Sequence, residues 1–220
     1  RPFGHDVEAA IVRAAHSHGV LAPEIVGELI AGDALGTGYI MRRIEAEANP
    51  APILANPPSM LINDIARELA RIHAIPLTSL PPLPEVETVE ALAQLKARFA
   101  DYGGDRPILA LAIKWCEAHL PAPVPQSLVH GDFRMGNIMV GEGGVAAILD
   151  WELAHIGDVH EDLAWGCINA WRFGHIDQPA FGCADFEAYF AAYEAAGGGG
   201  VDPARFRFWL IYRTLWWGLC

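Results

Sequence analysis

Val129-His-Gly-Asp-Phe-Arg-Met-Gly-Asn-Ile-Met-Val140 is the stretch on which the reading of this chain turns. The apolar run Ser127–Val129 has strand character and delivers His130, Gly131 and Asp132 into a tight loop, and Asn137 stands at the entry to a second short strand, Ile138–Val140. Across the turn Gly141–Gly144 a third strand is predicted over Val145–Leu149, and it ends on Asp150. Two oxygen donors at adjacent strand ends, Asn137 and Asp150, suit a hard, oxygen-seeking cation such as magnesium. Asp132, in the loop before them, is placed to orient an attacking hydroxyl and accept its proton. Phosphoryl transfer needs this division of labour, because positioning and charge neutralisation carry most of its catalysis.

Upstream, Val7, Ile11, Val12 and Ala15 share one face of a helix predicted over 7–18. Two strands are predicted over 23–31 and 38–44, with the glycine-rich segment Gly32–Gly38 as the turn between them. Residues 45–58 hold four prolines and little periodicity, which suits a linker. Ser59 is a candidate cap for a helix whose apolar stripe is Leu61, Ile62, Ile65, Leu69 and Ile72, and Pro76 stops it. Further helices are predicted near 86–101, 107–119, 159–173, 185–196 and 203–218. Few strands first and many helices after give an α+β class, a small sheet lobe on a larger helical one. The expected division is 1–44, a partial nucleotide lobe; 45–58, a hinge; and 59–220, the catalytic and substrate lobe.

Of the 220 residues, 52% are hydrophobic and 19% charged, the balance of a globular protein. The net charge of −12 argues against nucleic acid or an anionic membrane as partner. It fits a cationic substrate, and it equally fits simple solubility. Cys116, Cys167, Cys183 and Cys220 form no CxxC pair, so reduced thiols in a cytosolic protein are expected. The apolar segment Phe208–Tyr212 is bracketed by arginines and far too short to span a membrane. The tryptophans at 151, 165, 171, 209, 216 and 217 read mostly as core, with one or two touching substrate. His155 and His160 with Asp158 and Asp162 admit a transition-metal hydrolase reading, though their spacing is not that of a compact helical ligand set.

His130-Gly-Asp-x-x-x-x-Asn137, followed by Ile148-Leu-Asp150-Trp-Glu, resembles the aminoglycoside and choline phosphotransferase superfamily, which is similar in fold to protein kinases. Gly157-Asp-Val-His-Glu-Asp-Leu-Ala-Trp165 and Leu69-Ala-Arg-Ile-His73 resemble two further segments of that family. The likeness is strongest to the branch related to the kinase-like domain of acyl-CoA dehydrogenase fusion proteins. The resemblance implies transfer of the γ-phosphoryl group of ATP or GTP, with Mg2+, to a hydroxyl of a small molecule. It implies Asp132 as catalytic base, Arg134 reaching the γ-phosphate, Asn137 and Asp150 as metal ligands, and Asp162 as a brace for the catalytic loop. Glu8 stands where the family pairs an acid with its phosphate-binding lysine, and the strand carrying Met41 runs with Arg43 into the hinge that meets adenine.

The family's glycine-rich phosphate loop and its lysine precede the first helix and match nothing here, although Arg1 lies near the lysine's place. Residues preceding Arg1, and others following the aromatic run Trp209–Trp217, are therefore expected. Valine at 159 replaces the usual proline. The alternative function is a catalytically inactive kinase-like module that binds a ligand or partner.

Overall fold

The computed structural model describes residues 2–30, 32, 34–103 and 105–220. Arg1 falls outside them, as do Ala31 and Asp33, on which the end of the first predicted strand and part of the predicted turn rest. The chain opens with α1 (His5–Ser17), which buries Ile11, Val12 and Ala15 as its periodicity requires. β1 (Ile25–Glu28) and β2 (Tyr39–Met41) pair antiparallel, both shorter than expected. The stretch read as a linker holds a short helix, α2 (Pro50–Ala55). Asn49 caps it by accepting from Ala51 N, Pro50 supplies the preset first position, and Ile53 and Leu54 are buried.

α3 (Leu61–His73) buries Leu61, Ile65, Leu69 and Ile72 against the core. The expected Ser59 cap is overturned: the cap position falls on Met60, which offers no side-chain bond. Pro58 is the reason, because its carbonyl accepts from Leu61 N and puts Ser59 inside a turn before the helix. α4 (Thr88–Tyr102) and α5 (Pro107–Ala118) follow. β3 (Ser127–Val129), β4 (Ile138–Gly141) and β5 (Gly144–Ile148) lie where the sequence predicts them. β6 (His155–Gly157), which the pattern did not announce, pairs antiparallel with β3, while β4 pairs with β5.

The helix expected over 159–173 is broken. α6 (Val159–Trp165) ends at Gly166, and a separate turn of 3-10 helix covers Asn169–Arg172. A Cβ at 166 would stand 2.1 Å from the Phe181 ring, and Gly166 O accepts from Phe181 N, so packing and a diverted carbonyl stop the helix there. α7 (Phe186–Ala195) and α8 (Pro203–Gly218) close the order, each capped by the aspartate before it, Asp185 and Asp202. α3 packs on α7 and α6 packs on α8, which makes the α+β body mainly helical around the β3–β6 and β4–β5 ribbons.

Those ribbons are tied to the earlier chain by backbone bonds. Glu47 and Val140 exchange bonds of 2.9 and 2.8 Å, and Ile148 N donates to Leu21 O at 2.7 Å. The loop after β3 is tied by a side chain. Asp162 of α6, with no exposed surface, accepts from His130 N at 2.6 Å and Gly131 N at 2.9 Å. Its Oδ2 also lies 3.3 Å from His73 Nε2, and His73 Nδ1 meets the Tyr193 hydroxyl at 2.7 Å. Gly131 has φ +82, and a Cβ there would lie 2.3 Å from Leu153 O, so no other residue fits this turn.

Burial opposes ionisation of Asp162, but the hydrogen bond and charge of His73, helped by His130, outweigh it and hold the carboxyl below the ordinary aspartate range. A carboxyl held low stabilises the fold fully above the ordinary value of about 3.9, and that stability is lost as pH falls below it toward the native value. Asp162→Asn places an amide against two buried donors and should cost about 3 kcal/mol near neutral pH by urea unfolding. The gap to the native protein should narrow in acid; an equal gap at about pH 3 and about pH 7 would refute this account of Asp162.

Candidate active site

Asp132 sits in the loop between β3 and β4 and is nearly sealed from solvent. Trp165 Nε1, at the end of α6, donates to its Oδ1 at 2.6 Å, and Arg134 Nε donates to the same oxygen at 3.0 Å. Asn137 Nδ2 donates to Oδ2 at 2.6 Å and to the Asp132 carbonyl at 3.0 Å. With its amide nitrogen committed to Asp132, Asn137 keeps its side-chain oxygen for another partner. Leu149 N donates to Asn137 O at 2.8 Å, which sets Asp150 beside this group.

Asp150 is exposed and adopts φ 65, the left-handed region that aspartate tolerates better than most residues. The protein on its inner side desolvates it, and the charges of Glu152, Asp132 and Glu8 add to this, so its carboxyl is raised above the ordinary value; only Arg134 opposes. Glu8 is thus brought from α1 to the same cluster, where it accepts from the Tyr39 hydroxyl at 2.8 Å. The Asn137 side-chain oxygen and the Asp150 carboxylate are hard oxygen donors, the type a divalent cation such as magnesium takes. Asn137 and Asp150 therefore fit magnesium, whose remaining positions water and phosphate oxygens commonly fill.

The other expected residues are placed less centrally. Arg134 lies on Asp132, and its guanidinium stacks 4.3 Å over the Trp171 ring. Met41 and Arg43 are exposed on and after β2, and Arg43 pairs with Glu45. Among the described residues neither hydrogen-bonds to Asp132, Asn137 or Asp150. His130 is fully buried, with Nδ1 accepting from Asp132 N at 3.2 Å and Nε2 at 3.1 Å from Leu149 O. Burial lowers its pKa, so the ring stays neutral, with Nε2 as the donor.

The transition-metal alternative loses its ligands to other bonds. His160 Nδ1 lies against Asp158 and its Nε2 accepts from Asp202 N, while His155 Nε2 meets Glu161 at 3.2 Å. Asp158 also takes Arg205 at 2.6 Å and Trp209 at 2.8 Å. Among the described residues no group of three His, Cys, Asp or Glu side chains is arranged to hold a metal. Sequence reasoning missed the second tier behind Asp132: Trp165 read as one tryptophan among several, and Arg213 as a charge flanking an apolar run. No spacing rule marks either, because both act across the tertiary structure.

A kinase-like scaffold with a buried loop aspartate beside a charge-crowded acid after β5 defines the class. Residues 6–209 match the family model described as the phosphotransferase enzyme family. The chain belongs to that family. Acyl-CoA dehydrogenase family member 10 of Mus musculus is 34% identical over 98 residues, 40% of this chain and 9% of that protein. Aminoglycoside 3'-phosphotransferase of Escherichia coli is 30% identical over 119 residues, 49% of this chain and 43% of that protein. The chain therefore spans less than half the length of these curated relatives. The aminoglycoside phosphotransferase APH(3'')-Id of Streptomyces rimosus, solved in complex with ADP and streptomycin, superposes with a TM-score of 0.61. It is 19% identical and the match covers 98% of this chain and 85% of that one, a likeness of fold.

The raised carboxyl of Asp150 makes a stability prediction of its own. Its charge is unfavourable in the native state, so without divalent cations Asp150→Asn should raise the melting midpoint near neutral pH by about one to two degrees. Asparagine keeps the left-handed backbone, whereas Asp150→Val should cost about 1–2 kcal/mol there. Differential scanning calorimetry in a chelator checks both; a midpoint for Asp150→Asn well below the native one would contradict the crowding of charge.

Proposed function

We propose that this chain is the catalytic part of an enzyme that moves the γ-phosphoryl group of ATP or GTP, with magnesium, to a hydroxyl of a small molecule. The observation that carries this reading is the Asp132 carboxylate, held by Trp165, Arg134 and Asn137 next to the crowded acid Asp150. In this reading Asp132 orients the acceptor hydroxyl and takes its proton, and Asn137 and Asp150 hold the cation that neutralises the phosphates. Arg134 keeps its Nε bond to Asp132 Oδ1 and reaches the γ-phosphate with its terminal nitrogens. Glu8 positions the phosphate-binding group of the nucleotide lobe, and the backbone at Met41 and Arg43 meets the base. The lobes divide at 45–58, with residues 1–44 on the nucleotide side and 59–220 carrying the catalytic loop.

The ADP and streptomycin bound by that neighbour support a nucleotide and a small-molecule acceptor. No helix among the described residues is long and apolar enough to cross a membrane. A cytosolic setting fits thiols that burial makes unreactive, with Cys116 pushed up to about 11 and Cys183 to about 12.

Melting the full-length protein with and without ATP and magnesium tests the nucleotide site. Ligand at a hundredfold its dissociation constant should stabilise by about 2.7 kcal/mol, and Asp150→Asn should remove the magnesium-dependent part. Asp132→Ala should keep the shift yet abolish transfer to any acceptor found in a hydroxyl screen. No shift with ATP or GTP would favour the inactive binding module, and normal turnover by Asp132→Ala would sink the proposed chemistry.

A further inference from the structure

A carboxylate offers about four lone-pair positions, two on each oxygen. Asp132 Oδ1 has both filled, by Trp165 Nε1 at 2.6 Å and Arg134 Nε at 3.0 Å. Oδ2 has one filled, by Asn137 Nδ2 at 2.6 Å. One position is left, and it is on Oδ2. The three donors therefore fix the carboxylate's rotation and choose which oxygen is available.

Trp165 differs from the other two donors because it serves the carboxylate alone. It brings no charge, so it holds Asp132 without neutralising it, and at 1% exposure it has no room to turn. Its ring is pinned from behind. The Arg213 guanidinium of α8 lies 3.9 Å over it, while Trp171 and Trp216 meet it edge-on at 5.4 and 5.8 Å. Arg213 is itself buried, donating to Glu161 Oε1 at 2.8 Å and to the Gly131 carbonyl. One planar side chain thus joins α8, α6 and the catalytic loop, and a lysine could not make both bonds and the flat stack.

We propose that Trp165, backed by Arg213, is a positioning residue that holds Asp132 so that Oδ2 receives the proton of the acceptor hydroxyl. The inference rests on the phosphotransferase reading above. In the step the acceptor O–H bond breaks and its proton passes to Oδ2. The acceptor oxygen bonds to the γ-phosphorus, and the bond from that phosphorus to the β–γ bridging oxygen breaks, its electron pair leaving with ADP. Without the Trp165 N–H a second position opens on Oδ1, and the hydroxyl is held in two ways, only one of them in line.

Trp165→Phe keeps an aromatic ring and deletes the donor; Arg213→Lys keeps the charge and deletes the fork. In the full-length protein, with ATP and magnesium and the acceptor from the hydroxyl screen (or water, read as ATP hydrolysis), Trp165→Phe should lower kcat by about 10- to 100-fold. Its KM for ATP should stay within about twofold, the sign of an interaction used in the chemical step. Arg213→Lys should lower kcat in the same direction with KM likewise held. With 15N-labelled tryptophan, one indole N–H resonance should lie far downfield, vanish in Trp165→Phe and shift in Asp132→Ala. Turnover of Trp165→Phe within about twofold of native, or a parallel loss of kcat, ATP affinity and melting midpoint, overturns the positioning role. So does an indole resonance indifferent to Asp132→Ala. Native protein that turns over neither acceptor nor water overturns the phosphotransferase reading and this role with it, whereas active native protein beside a normal Trp165→Phe overturns the role alone.

Discussion

Asp162, closed off from water, receives the amide hydrogens of His130 and Gly131 on its two oxygens, and the geometry of the site hangs on that grip. A buried carboxylate must find such donors or be unaffordable in a low-dielectric interior. Two consecutive backbone N–H groups can both point at one carboxylate only if the chain turns sharply, which Gly131 allows at φ +82. The turn throws Asp132 out of the strand direction and into reach of Trp165, Arg134 and Asn137. His73 and Tyr193 extend the same bonded network to α3 and α7, so the packing of those two helices and the loop after β3 share one anchor.

Against this rigid loop stands a set of charges that is comfortable only with a partner. Asp150 is crowded by Glu152, Asp132 and Glu8, drawn from three separate stretches of chain. Folding brings these acids together at a cost in repulsion, and such a cost is typical of a site kept for binding. Asn137 mediates between the two regimes. Its amide nitrogen belongs to the rigid Asp132 group, and its oxygen is left to the charged side.

Behind Asp132 the chemistry changes from charge to aromatic packing. Trp165, Trp171 and Trp216 form a small cluster in which Arg134 and Arg213 lie over ring faces. Stacked guanidinium groups keep their outer N–H donors directed, so the cluster orients polar bonds as well as filling space.

The sequence by itself determined the parts whose signals are local. The His130–Asn137 loop between short strands, Asp150 at a strand end and the stripe of α3 could all be read, because turn chemistry and apolar period act over a few residues. Asp162 was legible only through family likeness, since nothing in its neighbourhood of sequence says that it reaches back to residues 130 and 131. Tertiary structure decided the rest. It broke the helix at Gly166 by the bulk of Phe181, placed β6 beside β3, and started α3 after Met60. It also chose Trp165 from six similar residues to hold Asp132, and Arg213 to hold Trp165. The physical reason is distance along the chain: bonds between residues 132 and 165, or 131 and 213, are made by packing that no period or spacing records.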